Sequence, residues 1–223
     1  MFNKSPVNIA RSKKYGSNFY ICHSLKLNRR VSLHSNLEYA NFLDVELNPN
    51  IVKYLEQPLQ VEVKGKDGDS YKTTFDMEVL FKNDTNELWE IKYSSDLNSG
   101  SNSSNRSIKQ IEYQRKWCLE NNITYKVRTE NEIFKGPEHL NNMRFMYHCL
   151  CRAQSNLIQD NLKRIKNRIQ IEKCITVEKL LNDDAVKLSV MPVIVYLFIH
   201  GYIVLDIYNQ EICYASEVCY AEN

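Results

Sequence analysis

Two short segments constrain this chain more than any other feature. Tyr71 to Phe81 and Leu88 to Tyr93 both alternate apolar and polar residues, and the turn-forming run Asn83-Asp-Thr-Asn86 separates them. Side chains on a strand point alternately to opposite faces. In the second segment Trp89, Ile91 and Tyr93 share one face, and Glu90 and Lys92 share the other. In the first, Phe75, Met77 and Val79 share a face, and Asp76 lies opposite. If both apolar faces point into a core, Asp76, Glu90 and Lys92 project together from the other side.

Two readings follow. One is a cross-strand salt bridge on a solvated sheet face. The other is a site for hard-cation chemistry: carboxylates hold Mg²⁺ while leaving several of its waters in place. Such an ion activates a water and neutralises phosphate charge, and a neighbouring Lys orients the water, takes its proton or steadies developing charge. An Asp one strand away from a Glu-x-Lys supplies those parts for phosphodiester hydrolysis.

The flanking sequence predicts an α-β-β-β-α-β order up to about residue 130. Ser35-Asn-Leu-Glu38 is a capping box, followed by Leu37, Ala40, Phe42, Leu43 and Leu47 at helical spacing. This places Glu38 on a helix leading into the sheet, where it can cap the helix, lean over the sheet, or do both. Leu59, Val61 and Val63 alternate as a first strand, and Lys66-Asp-Gly-Asp69 reads as a hairpin turn. Ser94 to Asn105 is rich in Ser, Asn and Gly and reads as a loop. Ile108 to Asn121 follows as a helix with Ile111, Trp117 and Leu119 among its apolar positions, and Ile123 to Val127 as a fourth strand. Beyond residue 138 the pattern is helical: Leu140 to Leu150, Leu157 to Ile171, a helix capped by Thr176, and one ending at Gly201. Tyr202 to Tyr208 and Ile212 to Ala215 read as a closing hairpin. The expected divisions are a basic, extended arm over 1–34, an α/β domain over 35–137 and a small helical, winged domain over 138–223.

Charge is distributed unevenly. Residues 1–37 hold seven Lys or Arg and no acid, whereas 38–99 hold thirteen acids against six bases. A basic arm beside an acidic centre suits an anionic polymer held over a cation-binding pocket, and a solubilising tail accounts for the same pattern. Lys13, Lys14, Arg29, Arg30, Arg106, Lys109, Arg115 and Lys116 are candidate phosphate contacts, though a solvated surface explains each one singly. Lys163, Arg164, Lys166 and Arg168 lie along one later helix. Seven cysteines without a leading apolar segment point to reduced thiols in a cytoplasm. His148, Cys149 and Cys151 lack the partners of a zinc site. The uncharged run Leu188 to Leu205 is broken by Pro192, His200 and Gly201 and reads as a buried helix, then a strand, with no membrane span.

Taken together, Ser35-Asn-Leu-Glu-Tyr-Ala-Asn-Phe-Leu-Asp44, Asn48-Pro-Asn-Ile-Val52, Tyr54-Leu-Glu-Gln-Pro58, Tyr71 to Val79 and Trp89-Glu-Ile-Lys92 resemble the TnsA endonucleases of heteromeric transposases, within the PD-(D/E)xK superfamily. Thr129-Glu-Asn-Glu-Ile133 and the C-terminal stretches Val177 to Leu181 and Ile199 to Asp206 extend the likeness. Phe75 departs from it, since many relatives carry Pro there.

The resemblance implies a restriction-endonuclease-like αβββαβ core with a winged-helix-like C-terminal domain. It implies an active site of Glu38, Asp76, Glu90 and Lys92, with the Ile91 carbonyl facing the metal. Mg²⁺ is the implied cofactor, with Mn²⁺ able to substitute. The implied partners are double-stranded DNA at transposon ends, a DDE-type transposase that handles the 3′ ends while this subunit cuts the 5′ ends, and an AAA+ regulator. Two other functions stay open: a stand-alone restriction or repair nuclease, and a non-catalytic DNA-binding regulator.

Overall fold

The computed structural model describes residues 5–7, 18–64, 70–98, 102–153, 155–183 and 189–222. The chain divides into two compact units, with the break after Ile133 and Leu47–Pro49 grouped with the second unit.

The first unit opens with a hairpin of β1 (Tyr20–Ser24) and β2 (Arg29–Leu33). Residues 20–33 are therefore paired strands, where the sequence suggested a loose basic arm. Their anchor is Glu46, whose buried carboxylate accepts from Ser24 Oγ at 2.5 Å, Tyr54 Oη at 2.7 Å and the Leu25 and Lys26 amides. Glu46 lies near the end of α1 (Asn36–Leu47), which starts at the expected capping box: the Glu38 amide donates to Ser35 Oγ at 3.1 Å, and the Glu38 carboxylate accepts from the His34 amide at 2.9 Å. The helix has apolar residues on several sides because it is covered on several sides. Tyr39 stacks on Tyr20 of the hairpin, while Phe42 meets Tyr54 and Asn41 meets Met77 on the sheet.

The main sheet runs β3 (Ile51–Glu56), β6 (Met77–Phe81), β7 (Asn86–Ile91), β8 (Thr124–Arg128). Its first three strands are antiparallel; β8 pairs parallel to β7 after a crossover through α2 (Asn102–Glu120). The third member of the antiparallel set is β3, not the Leu59–Val63 segment expected from sequence. That segment lies in β4 (Gln60–Lys64), which pairs with β5 (Ser70–Thr74) as a separate ladder. The proposed turn at Lys66–Asp69 falls outside the described residues.

Two long antiparallel arms, β3–β4 and β5–β6, thus share one bend. At the bend Gln57 adopts φ +44°, its amide donates to the Asp76 carbonyl at 2.9 Å, and the Phe75 amide donates to the Leu59 carbonyl at 3.3 Å. An extra residue of this kind breaks a ladder and re-aims its side chains. The predicted continuous strand Tyr71–Phe81 is accordingly cut at Phe75 and Asp76. Phe75 does not share the Met77 face as alternation implied: it packs with Val61, Val63, Leu88 and Cys118 on the α2 side. The predicted Ser94–Asn105 loop also shortens, because Ser94–Leu97 form a 3-10 turn and α2 begins at Asn102. Ile111 and Cys118 are buried along α2, but Leu119 is 78% exposed, so the inward stripe is narrower than its apolar content suggests.

The first unit closes with α3 (Glu130–Ile133). With α1 on one face of the sheet and α2 on the other, its mixed α/β build is consistent with a restriction-endonuclease-like core.

The second unit holds α4 (His139–Arg152), α5 (Ser155–Glu172), α6 (Val177–Leu181) and α7 (Val190–Ile199). α7 is buried through Val190, Val193, Ile194, Val195 and Leu197 and packs against the other three. Thr176 caps α6 as expected, by accepting from the Lys179 amide. A three-stranded sheet runs β10 (Ile203–Val204), β11 (Glu217–Tyr220), β9 (Cys174–Thr176). The expected Ile212–Ala215 strand is instead an irregular segment held by Asn142, which accepts from the Ile212 amide at 2.9 Å and donates to the Ile207 and Gln210 carbonyls. Cys174 and Cys219 form a disulfide, so the expectation that every thiol is free fails for this pair. Among the described residues no helix is long and apolar enough to cross a membrane.

Candidate active site

Asp76 sits in the break between β5 and β6 and is pinned from both sides. Its amide donates to the Trp89 carbonyl at 3.1 Å, and its carbonyl accepts from Gln57. Its carboxylate then reaches across to β7, where Oδ2 accepts from the Ile91 amide at 2.8 Å. The bend lets a short acidic side chain stand at the sheet's end beside the last residues of β7.

Glu90 is fully buried under α2. Oε1 accepts from Lys92 Nζ at 2.5 Å and from Gln110 Nε2 at 2.8 Å, and Oε2 accepts from Gln114 Nε2 at 2.7 Å. Gln110 and Gln114 are four residues apart and so lie on one helix face. Gln114 is itself held by Thr73 Oγ1 and the Thr74 carbonyl, and accepts from Tyr125 Oη at 2.7 Å. Even with three donors, burial and then the charge of Asp76 push the Glu90 carboxyl up to about 8, against the opposing pull of Lys92 and Gln114. Burial and the same two acids also raise the Tyr125 phenol, which stays a neutral donor.

Lys92 lies just past β7, with its amide bonded to the Arg128 carbonyl at 3.0 Å and its side chain 21% exposed. Burial disfavours its charge. Asp76 and Glu90, and more distantly Glu38, outweigh that and hold the ammonium above the ordinary lysine range. One lysine therefore feels all three acids, contributed by α1, the β5–β6 break and β7. Of the sequence-predicted quartet, Asp76, Glu90 and Lys92 meet at the end of β7, and Glu38 acts on Lys92 from a greater distance through its charge.

The quartet is not closed into a cage. Among the described residues the only three acidic, His or Cys ligand atoms mutually within 4.8 Å are those of Cys174, Glu217 and Cys219. Opposed oxygens on one Mg²⁺ are about 4.2 Å apart, twice the metal–oxygen distance. A single ion touching Glu38, Asp76 and Glu90 would need them drawn closer than they stand. Glu38 also remains engaged at its cap.

The candidate DNA contacts fall into different settings. Lys13 and Lys14 lie outside the described residues. Arg29 is held by both oxygens of the nearly buried Glu56 at 2.6 Å, which leaves little of its guanidinium to offer. Arg30, Arg106, Lys109, Arg115 and Lys116 are exposed. Lys116 is drawn to the Lys64 carbonyl, and Lys109 sits 5.8 Å over the Tyr113 ring. Arg106 is four residues before Gln110, so it extends the row of α2 side chains that reaches Glu90.

The sequence reading missed Gln110 and Gln114. The available signal was register: Ile111, Gln114 and Cys118 follow each other at three- and four-residue steps, so Gln114 occupies an inward position where an apolar residue is expected. A buried amide there requires a buried partner.

Residues 48–130 match the family model described as TnsA-like endonuclease N terminal. No curated protein matches the chain.

Proposed function

We propose that this protein, whose residues 48–130 match the TnsA-like endonuclease family of the PD-(D/E)xK superfamily, is the metal-dependent, 5′-end-cutting DNA endonuclease subunit of a heteromeric transposase. The observation that carries this reading is the meeting of two acids and a lysine at the end of β7: the Asp76 carboxylate accepts from the Ile91 amide at 2.8 Å, and the buried Glu90 carboxylate accepts from Lys92 at 2.5 Å. Acids that repel one another in a dry pocket are short of positive charge, and a hard divalent cation is the group that such oxygen donors fit.

Asp76 and Glu90 would be the principal ligands for Mg²⁺ or Mn²⁺, with the Ile91 carbonyl beside them, and Glu38 would join them by leaving its helix cap. The ion supplies an activated water and screens the phosphate. Gln110 and Gln114 hold the Glu90 carboxylate at the end of the sheet, so Asp76 and Glu38 are the acids that would move to close on an ion. Lys92 enters protonated. It acts as a donor that orients the water or steadies charge on the phosphate, rather than as a ready base. Arg106, Lys109, Arg115, Lys116 and Arg30 supply backbone contacts that hold duplex DNA without reading its sequence. A DDE-type transposase handles the 3′ ends and brings this subunit to the element, and an AAA+ regulator contacts the complex. The second unit, read as a winged-helix-like domain over 138–223, serves those contacts.

The test uses purified protein, the partner transposase and transposon-end duplex labelled on each strand. Cutting confined to the 5′ strands, present with Mg²⁺ or Mn²⁺ and absent with chelator, is the expected result. Cutting of the 3′ strands by this subunit, or equal cutting with chelator present, contradicts the proposal.

A further inference from the structure

The edge of the second unit holds a separate constellation. β11 pairs with β9 so that Cys219 faces Cys174, with Cα atoms 4.0 Å apart at a sequence separation of 45. Glu217 is two residues before Cys219 and so shares its face of β11. Both Sγ atoms and a Glu217 carboxylate oxygen lie within 4.8 Å of one another. Cys174 and Glu217 are exposed and Cys219 half-buried. A concavity of about 380 Å³, lined by Asp206, Gln210, Ser216, Glu217 and Cys219 among others, opens beside them. The other five cysteines form no disulfide, so the chain is not built on a disulfide framework.

Two sulfurs and one carboxylate are a donor set for a borderline-soft cation, unlike the all-oxygen set at Asp76 and Glu90. Tetrahedral zinc with Zn–S bonds of about 2.3 Å places its ligand atoms about 3.8 Å apart, so the two sulfurs, bonded to each other in the disulfide, must separate on reduction to hold it, while the strand pairing keeps the two cysteines adjacent. Placement on two hydrogen-bonded strands fixes their spacing without help from a loop.

We propose that Cys174, Cys219 and Glu217 form a binding site for a zinc-class divalent cation when the disulfide is reduced, with solvent from the adjacent concavity in the fourth position. A small-molecule thiol supplies the two electrons: two thiols attack in turn, the Cys174–Cys219 bond breaks, and the products are two protein thiols and one small-molecule disulfide. Metal binding then releases the two thiol protons. The disulfide and the metal use the same sulfurs, so the site is filled only in the reduced protein. None of this depends on the nuclease reading.

The full chain, reduced with a small-molecule thiol and freed of it anaerobically, is titrated with Co²⁺. One equivalent should give a sulfur-to-cobalt charge-transfer band that Zn²⁺ abolishes and that the oxidised protein lacks. C174S and C219S should each lose the band. Glu217 is exposed, so E217A keeps its fold, and it should bind about tenfold or more weakly, as removal of a metal's partner does. In reduced wild type, Zn²⁺ should shield Cys174 and Cys219, but not Cys151 and Cys213, from alkylation read by peptide mass; this needs no variant to fold. No thiolate band in reduced wild type, a band retained by C174S and C219S, undiminished affinity in E217A, or shielding of Cys151 and Cys213 instead would each overturn the proposal.

Discussion

The Gln114 side-chain amide donates to Glu90 Oε2 at 2.7 Å while the same nitrogen is held by Thr73. This ties α2 to the buried acid. The Gln114 hydrogen bond works against the forces that push the Glu90 carboxyl up to about 8. Q114A therefore shifts the acid limb of the cleavage pH profile upward. It also destabilises the fold by about 1–3 kcal/mol through the partners left unsatisfied. A variant that loses stability but keeps the wild-type profile contradicts the coupling.

Stability of the metal-free protein should fall as pH rises from about 5 to 8. The reason is the Glu90 carboxyl, raised from its ordinary value to about 8. Between those two values the unfolded chain has released the proton and the folded one still holds it, so the folded state binds more protons and loses ground with rising pH. Lys92, whose value is also raised, has the opposite relation to its charge: its contribution is complete below the ordinary lysine range and fades only above it. E90Q should flatten the pH 5–8 decline and melt several degrees higher than wild type at pH 8 without metal. Mg²⁺ should stabilise wild type more at pH 8 than at pH 5, since binding requires the ionised acid. Thermal melts across pH, with and without Mg²⁺, check both.

Glu46 provides a stability test outside the site. Its carboxylate satisfies Ser24, Tyr54 and two backbone amides at once. E46A should cost at least about 3 kcal/mol in urea unfolding, because hydrogen bonds to a buried charge are worth about 1.5–3 kcal/mol each and several are lost. Cutting per folded molecule should be unchanged.

Legibility followed the distance over which each feature is decided. Glu90 and Lys92 were readable because alternation within one strand is local. Glu38 was readable because its capping box spans four residues. Asp76 was put on the face of Glu90 and Lys92 for an incomplete reason: the strand breaks at Phe75, and the approach of its carboxylate to the Ile91 amide depends on that bend. The cause of the bend, Gln57 at φ +44°, becomes visible only once β3 has paired with β6. Gln110 and Gln114 were missed because an inward amide looks like any polar helix residue until its partner is known. The Cys174–Cys219 pairing spans 45 residues and rests on a strand match that no local pattern announces.

Arg106 tests the path of the DNA. R106A should weaken duplex binding similarly for all sequences and reduce the slope of log affinity against log salt by about 0.9, as expected for one lost phosphate contact. Arg29, tied up by Glu56, should leave the salt slope unchanged when replaced by Lys. Binding isotherms over a salt series, with catalysis blocked by Ca²⁺, give both numbers. An unchanged slope in R106A contradicts the placement of DNA along that row of α2.

The proposed cutting centre is the Asp76 carboxylate beside Glu90 and Lys92. The direct measurement is 5′-strand cleavage of transposon-end DNA by Asp76→Ala with Mg²⁺ and the partner transposase present, on protein shown by circular dichroism to be folded. Cleavage should fall by at least about a thousandfold, or roughly 4 kcal/mol of transition-state stabilisation, with DNA binding retained. Cleavage by the folded variant at the wild-type rate would contradict it.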